Sequence, residues 1–262
     1  GLDMNRNWPS AWERDGKQPG AGPFPLSEPE TYALAQFIYQ HPNITTWVAG
    51  HTFSGVLLRP GMTVHDDKLP MADMHHYRLV GEKGTELTGY PALSVYSDFR
   101  VNRQAEVHGS AEWGYTNFGI FLWAPEYWAP HRTAGVEIDN YIEWFHDHPA
   151  EDELKMLAWS DEVDDVADVD WYPFEHPQLG TVELGGWNQL TPVFNPPQSL
   201  LAREISPFSE WFTWQLLLSP RLVLRSAAAV PLETNIWQIT VVVENTGYLP
   251  TQVSEQALAV GA

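Results

Sequence analysis

The stretch GIFLWAPEYW, residues 119–128, is a mostly apolar run that ends at one acid, Glu126. A run of this kind is typical of a strand that is buried on both faces of a sheet. The segment before it, AEWGYTNFG (111–119), has a helical pattern. A second buried strand is predicted for NITTWVAG (43–50), and His51 follows it directly. His51 and Glu126 therefore both lie where a buried strand ends.

Helical and strand patterns alternate through the first half of the chain. A helix is predicted after a Pro- and Gly-rich loop (residues 9–26), and PALSVYSDF (91–99) suggests a short strand, whereas residues 59–89 look polar and irregular. Such alternation favours an α/β fold, with a mainly parallel or mixed sheet covered by helices. In open sheets of this kind, ligands bind at the carboxyl ends of the strands.

The first predicted helix has two recognisable sequence features. Ser27 and Glu30 stand at the spacing of a capping box, which satisfies free N–H groups at a helix start. Leu34, Phe37 and Ile38 would form its apolar stripe.

The second half of the chain changes character after about residue 135. Two amphipathic helices are predicted at 138–148 and 151–159, and an acidic, solvated link at 160–170. Two helical pieces follow at 195–205 and 208–218, interrupted near Pro207. The last two segments, 221–230 and 235–247, are strands that look like the start of a small β-sandwich. We therefore predict a catalytic-type portion (1–150), a helical and loop connector (151–218) and the beginning of a β-sandwich-like domain (219–262).

The composition of the chain limits which partners and which metal ligands are expected. Lys and Arg number 14 against 34 Asp and Glu, a net charge of −20, which argues against nucleic acid and anionic membranes as partners. There is no cysteine, so any metal site must use His and carboxylate ligands. No targeting segment is visible in the chain, and its localisation, including secretion, stays open.

Three features could carry chemistry: the pair Asn5–Arg6, His51 and Glu126. The guanidinium of Arg6 is suited to binding a carboxylate through two hydrogen bonds, and Asn5 adds a neutral donor. A neutral imidazole such as that of His51 is a common zinc ligand. A carboxylate close to a metal, such as Glu126, can take a proton from water. Each feature alone also fits an ordinary structural role; together they suggest metal-assisted hydrolysis of a substrate with a free carboxylate.

Three segments resemble the M14 family of zinc carboxypeptidases, in that family's order and spacing. GLDMNRNWP (1–9) resembles its G-x-D-x-N-R-N-(F/W) signature, VAGHTFSGVLLRP (48–60) resembles the segment of its third zinc ligand, and residues 109–128 resemble the segment that ends in its catalytic Glu. The resemblance covers about residues 1–130. The remainder resembles an extension found in a bacterial subgroup of the family.

The resemblance implies a role for each matching residue. Asn5 and Arg6 would bind the substrate's C-terminal carboxylate, His51 would be a zinc ligand, and Glu126 would be the general base and then the general acid. The family also uses a mobile tyrosine over the site, for which Tyr96 is the first candidate and Tyr90 the second. Ala111 falls near a residue that sets side-chain preference; because it is small and neutral, it gives no reason to expect basic C-terminal residues. The implied partners are peptide or protein C-termini.

The family's other two zinc ligands come from an H-x-x-E motif upstream of the Asn–Arg pair. We therefore expect that the sequence is an interior fragment, that one zinc ion takes two further ligands from upstream, and that this chain alone binds zinc poorly and is inactive. A second H-x-x-E pattern, His148 to Glu151, lies after Glu126, where helix capping suits it better.

Two other functions remain open at this stage. The chain could be a pseudoenzyme that binds peptide or glycan through its tryptophans, or a zinc-dependent amidase that acts on small acyl-amino acids. The presence of an H-x-x-E segment in the upstream coding sequence distinguishes an enzyme from a binding module.

Overall fold

The computed structural model describes residues 2–14, 16–100, 109–163 and 167–262. The helices in these ranges are α1 (Pro29–Gln40), α2 (Met71–Thr88), α3 (Ser110–Phe118), α4 (Pro130–Thr133), α5 (Tyr141–His146), α6 (Ala150–Ser160), α7 (Gln198–Leu217) and α8 (Glu255–Val260). The strands are β1 (Thr46–Val48), β2 (His51–Thr52), β3 (Val56–Arg59), β4 (Ala92–Ser94), β5 (Phe121–Tyr127), β6 (Asp168–His176), β7 (Gly180–Trp187), β8 (Leu222–Glu233) and β9 (Ile236–Asn245).

A mixed five-stranded sheet forms the centre of the first half. Its order is β1-β5-β3-β4, and β2 also pairs with β5. Strands β1 and β2 run parallel to β5, β4 runs parallel to β3, and β3 runs antiparallel to β5. With helices packed on this sheet, the predicted α/β class is confirmed.

Strand β5 is buried on both faces, which explains its apolar sequence. On one face, Trp123 packs in a cluster with Tyr77 of α2 and Trp211 of α7. On the other face, Leu122 and Ala124 pack in a second cluster with Leu58 of β3. Burial of several large side chains fixes the strand strongly, because each contributes about 1.5–3 kcal/mol.

The prediction that residues 59–89 are irregular is wrong, because α2 occupies Met71–Thr88. Helix α2 carries two glycines, which lower its intrinsic helix propensity. Close packing needs them: a Cβ on Gly81 would lie 2.7 Å from the Cβ of Ala92, and one on Gly84 would lie 2.4 Å from Leu57. Tertiary contact therefore stabilises a helix that the local sequence does not suggest.

Helix α1 forms as predicted, but its start and its buried face differ. The residue that caps it is Glu28, with no side-chain cap, whereas Ser27 Oγ accepts a hydrogen bond from Asn7. Of the predicted stripe only Ile38 is buried, and Leu34 and Phe37 are exposed. The predicted capping box is wrong because Ser27 holds the N-terminal segment instead.

The predicted break at Pro207 is also wrong, since α7 runs unbroken from Gln198 to Leu217. Directly after the proline, Phe208 and Trp211 are buried, and the indole N–H of Trp211 donates to the carbonyl of Val80 on α2 at 3.0 Å. Burying these two rings against α2 offsets the hydrogen bond that Pro207 cannot make.

Two antiparallel hairpins, β6–β7 and β8–β9, lie in the second half. Strands β8 and β9 agree with the sequence prediction, whereas β6 begins at Asp168 inside the predicted acidic link, of which residues 164–166 lie outside the described residues. After β9, the chain returns to the sheet unit: Ser254 Oγ donates to the carbonyl of Gly119 at 2.7 Å, and Asp73 accepts the first backbone N–H groups of α8. The β-sandwich and the domain boundaries stay predictions.

Candidate active site

A cavity of about 600 Å³ opens where β2 and β5 end, and the four residues singled out by their chemistry line it together. They are Asn5, Arg6, His51 and Glu126. Three separate segments supply them, so the fold brings together groups that lie up to 121 positions apart in sequence, from Asn5 to Glu126.

His51 and Glu126 are direct neighbours across the sheet. Strands β1 and β2 pair with β5 in one continuous register, in which Thr46 faces Phe121 and His51 faces Glu126. Nδ1 of His51 lies 3.9 Å from Oε1 of Glu126. Backbone pairing, rather than side-chain flexibility, therefore sets the separation of the two groups.

Asn5 connects the N-terminal segment to both sides of the cavity. Its Oδ1 accepts the backbone N–H of Ser110 at 2.9 Å, and its Nδ2 lies 3.4 Å from Nε2 of His51. Because Oδ1 is the acceptor for Ser110, Nδ2 faces the imidazole as a donor. Gly109 leaves room for this amide, since a Cβ there would lie 2.7 Å from Oδ1 of Asn5.

Arg6 keeps part of its hydrogen-bonding capacity free for a ligand. One guanidinium nitrogen donates to the carbonyl of Asn5 at 3.2 Å, and another lies 3.6 Å from a carboxylate oxygen of Asp3, whose side chain is half exposed. An exposed ion pair of this length is weak. A carboxylate in the cavity can therefore displace Asp3 or share Arg6 with it.

Asn7, which the sequence reasoning missed, anchors the segment that carries Asn5 and Arg6. It is completely buried, and its Nδ2 donates to Ser27 Oγ and to the carbonyls of Ala21 and Phe24 at 2.8–3.0 Å. Its Oδ1 accepts from Thr31 Oγ1 at 2.6 Å and from the backbone N–H of residue 28. One side chain therefore ties the N-terminal turn to the loop and to α1.

Trp8 completes this anchor on the sheet side. Its ring lies 5.5 Å from that of Trp47 and 5.0 Å from that of Trp113, in edge and tilted arrangements. Aromatic pairs of this geometry add about 0.5–1.5 kcal/mol beyond the area they bury. A short turn of Met4–Arg6 is thus held between two fixed points, Asp3 and the Asn7–Trp8 pair.

Burial shifts the pKa of both titratable groups toward their neutral forms. It raises the pKa of Glu126 to about 8, although Arg6 lowers it in part. It also lowers the pKa of His51, as does the charge of Arg6, while Asp3 acts in the opposite direction. Near pH 7 the two side chains are therefore mostly uncharged, and their contact is not an ion pair.

The chemistry of His51 fits a metal ligand, because its lowered pKa keeps the ring neutral and a metal could take the place of the Asn5 amide at Nε2. The described residues contain no group of three His, Asp or Glu side chains that could hold a metal ion. The role of His51 as a zinc ligand therefore stays a prediction.

The H-x-x-E pattern at residues 148–151 is not part of the cavity wall. Nδ1 of His148 contacts the carbonyl of Trp144 at 3.0 Å, and Nε2 contacts Glu153 at 2.8 Å. Both ring nitrogens have partners, but neither contact caps α6, whose N-cap residue is Pro149 with no side-chain cap hydrogen bond.

The remaining predicted site residues lie in different surroundings. Tyr96 lies outside the described wall of the cavity, with its ring against His65 and Arg100. Tyr90 is buried elsewhere, where its hydroxyl donates to Glu204 and accepts from the backbone N–H of Trp128. Ala111 lies in the first turn of α3. Residues 101–108 lie outside the described residues. The identity of the mobile tyrosine therefore stays a prediction.

No helix in the described part of the chain is both long and apolar enough to cross a membrane.

A family model described as zinc carboxypeptidase (peptidase M14) matches residues 1–139, and one described as a domain of unknown function (DUF8731) matches residues 221–262.

Curated relatives include carboxypeptidase A5 of Homo sapiens, 36% identical over 66 residues. Carboxypeptidase A6 of Homo sapiens is 37% identical over 67 residues, and carboxypeptidase A1 of Mus musculus is 35% identical over 66 residues. Each match covers 23% of this chain and 15–16% of the relative, so the chain matches only a small part of those proteins.

Among solved structures, thrombin activatable fibrinolysis inhibitor aligns with a TM-score of 0.41 at 17% identity, over 62% of this chain and 43% of that one. The bovine protein in complex with tick carboxypeptidase inhibitor aligns with a TM-score of 0.40 at 17% identity, over 60% and 55%. The zinc carboxypeptidase model spans more than half of the 262 residues, and the chain therefore belongs to the M14 family of zinc carboxypeptidases.

Proposed function

We propose that this chain carries the carboxylate-binding, third zinc-ligand and general-base segments of a metallocarboxypeptidase, which hydrolyses the C-terminal peptide bond of peptides and proteins. The observation that carries the proposal is the register of β2 with β5, which puts His51 3.9 Å from Glu126 in a cavity that Asn5 and Arg6 also line. A ligand site, a proton acceptor and a carboxylate receptor within one cavity match this reaction.

Substrate binding falls to Arg6 and Asn5. The guanidinium of Arg6 would take the C-terminal carboxylate of the substrate through charge-assisted hydrogen bonds, in place of its weak contact with Asp3. The hydrogen bond from Ser110 fixes the side chain of Asn5 beside it. A peptide held by its terminal carboxylate presents its last peptide bond at a fixed distance, which orients it toward Glu126.

Proton transfer falls to Glu126. Zinc, when bound, would polarise the scissile carbonyl and activate the attacking water. Glu126 would accept a proton from that water and then donate it to the leaving amine. Burial raises its pKa to about 8, so near pH 7 the carboxyl is mostly protonated. The positive charge of bound zinc would lower this pKa, and Glu126 would then be ionised and able to accept the proton.

His51 would be one ligand of a single zinc ion. The described residues contain no group of three such side chains that could complete the site. We therefore expect the 262-residue chain by itself to retain little zinc and to show no hydrolysis.

The experiment compares two substrates on the zinc-loaded holoenzyme. A peptide with a free C-terminus should be cleaved, and its C-terminal amide should react about 100-fold more slowly, because Arg6 has no carboxylate to bind. Arg6→Gln should raise the KM of the free peptide and remove most of this preference.

Arg78→Gln is the matched control, since Arg78 is exposed on α2, away from the cavity. It should leave both rates unchanged. Equal cleavage of the amide and the free peptide by the unmodified protein would contradict the carboxypeptidase proposal.

A further inference from the structure

The cavity that holds Arg6 and Glu126 is also lined by a second arginine, Arg100. Arg100 follows the turn Val95–Phe99 at the end of β4, and its backbone N–H donates to the carbonyl of Val95 at 2.8 Å. Its guanidinium lies over the ring of Tyr96, 4.4 Å from the centroid. Backbone and ring contacts thus hold this side chain against the cavity wall.

The charge of Arg100 has no carboxylate partner among the described residues. Its Nε is buried and has no hydrogen-bond partner in those parts of the chain. Arg59 differs, since both of its terminal nitrogens bond to the carboxylate of Asp66. The nearest acid in sequence, Asp98, instead accepts the backbone N–H of Ser94. Buried polar groups are normally paired, so an arginine whose buried Nε lacks a partner beside a cavity indicates a place for an anion.

The wall around this part of the cavity is apolar. Leu58, Met62, Val95, Phe99 and Ala124 all line it and belong to one buried cluster. Charges attract more strongly beside such a wall than in water, because the local dielectric constant is lower. The matching group is therefore a short hydrocarbon stem that ends in a carboxylate.

We propose that Arg100 makes the site select substrates whose C-terminal residue has an acidic side chain, glutamate or aspartate. This inference rests on the proposed function, since it assumes that Asn5 and Arg6 hold the terminal carboxylate. The substrate then presents two carboxylates to two arginines: the main-chain group to Arg6 and the side-chain group to Arg100. The same charge disfavours C-terminal lysine and arginine.

The experiment measures binding to the 262-residue chain by calorimetry, with N-acetyl-Phe-Glu, N-acetyl-Phe-Gln and N-acetyl-Phe-Leu as probes. The glutamate peptide should bind about 10- to 100-fold more tightly than the glutamine peptide, which has the same shape without the charge. Arg100→Gln should abolish that ratio, and Arg100→Lys should retain part of it. Arg78→Gln is the control and should not change it. A melting curve for each variant verifies that it is folded.

The outcomes separate this inference from the proposal on which it rests. Binding of all three peptides with equal affinity, lost in Arg6→Gln, would overturn the role of Arg100 and leave carboxylate recognition standing. A glutamate preference that persists in Arg100→Gln and Arg100→Lys would also overturn it. Absence of binding by any of the peptides would count against both the inference and the proposed function.

Discussion

Strands β5 and β9 have similar apolar sequences and opposite surroundings. The side chains of Phe121 to Trp123 in β5 are at most 1% exposed, whereas Trp237 and Ile239 in β9 are 58% and 70% exposed. Both strands could be predicted from the sequence, because β propensity depends on side-chain type. Their burial differs because β5 pairs with strands on both edges and has a buried cluster on each face, while β9 pairs with β8 in a two-stranded sheet.

This difference explains where the candidate site lies. A two-stranded hairpin is marginally stable by itself, so it holds side chains loosely. In the sheet, burial on both faces fixes β5, and the parallel pairing with β2 then fixes Glu126 relative to His51. The groups that need defined distances all lie on or against the buried sheet, and none of them lies on the hairpins.

The largest expected effect comes from removing a core ring of the sheet. Trp123→Ala deletes a completely buried indole that packs against Tyr77 and Trp211, and should cost about 3–5 kcal/mol in the free energy of unfolding. Trp237→Ala on β9 is the matched control and should cost less than about 1 kcal/mol. Urea denaturation of both variants measures the contrast. Equal losses would show that the hairpin is packed as firmly as the sheet.

A smaller loss is expected for Asn7→Ala. This change removes the hydrogen bonds that tie the N-terminal turn to the loop and to α1, and it removes one of the two acceptors of the Thr31 hydroxyl. We expect a cost of about 2 kcal/mol, because buried partners lose their hydrogen bonds. Binding of N-acetyl-Phe-Leu should also weaken, since Arg6 loses its support.

Asn117→Ala is the control for this prediction, because Asn117 is an exposed asparagine on the surface of α3 that contacts Ser10 and Thr116. A folded Asn7→Ala protein with unchanged peptide affinity would show that the anchor does not position the site.

The sequence predicts the parts of the fold and site that depend on local pattern. Buried strands are recognised by apolar runs, so the sequence alone predicts that His51 and Glu126 lie next to strand ends. The resemblance adds roles for these residues and for Asn5 and Arg6. Alternation of helix and strand was enough to predict the α/β class.

The features that the sequence does not reveal depend on distant contacts. Helix α2 carries Gly81 and Gly84, which argue against a helix until their contacts with Ala92 and Leu57 are known. Asn7 looks like any polar loop residue, because its partners are up to 24 positions away. Arg100 becomes notable only through the cavity it lines and its buried Nε, which has no partner in the part of the chain that the structure describes.

The central claim is that Glu126 performs acid–base catalysis in a site that recognises a carboxylate. Its most direct test is the kcat of the zinc-loaded Glu126→Gln holoenzyme, measured with zinc content and melting temperature on the same sample. We expect kcat to fall about 10³- to 10⁴-fold, while zinc content stays unchanged and stability is not reduced. Glu82→Gln, an exposed change on α2, should behave as the unmodified protein. A zinc-loaded Glu126→Gln protein with near-normal kcat would contradict the account.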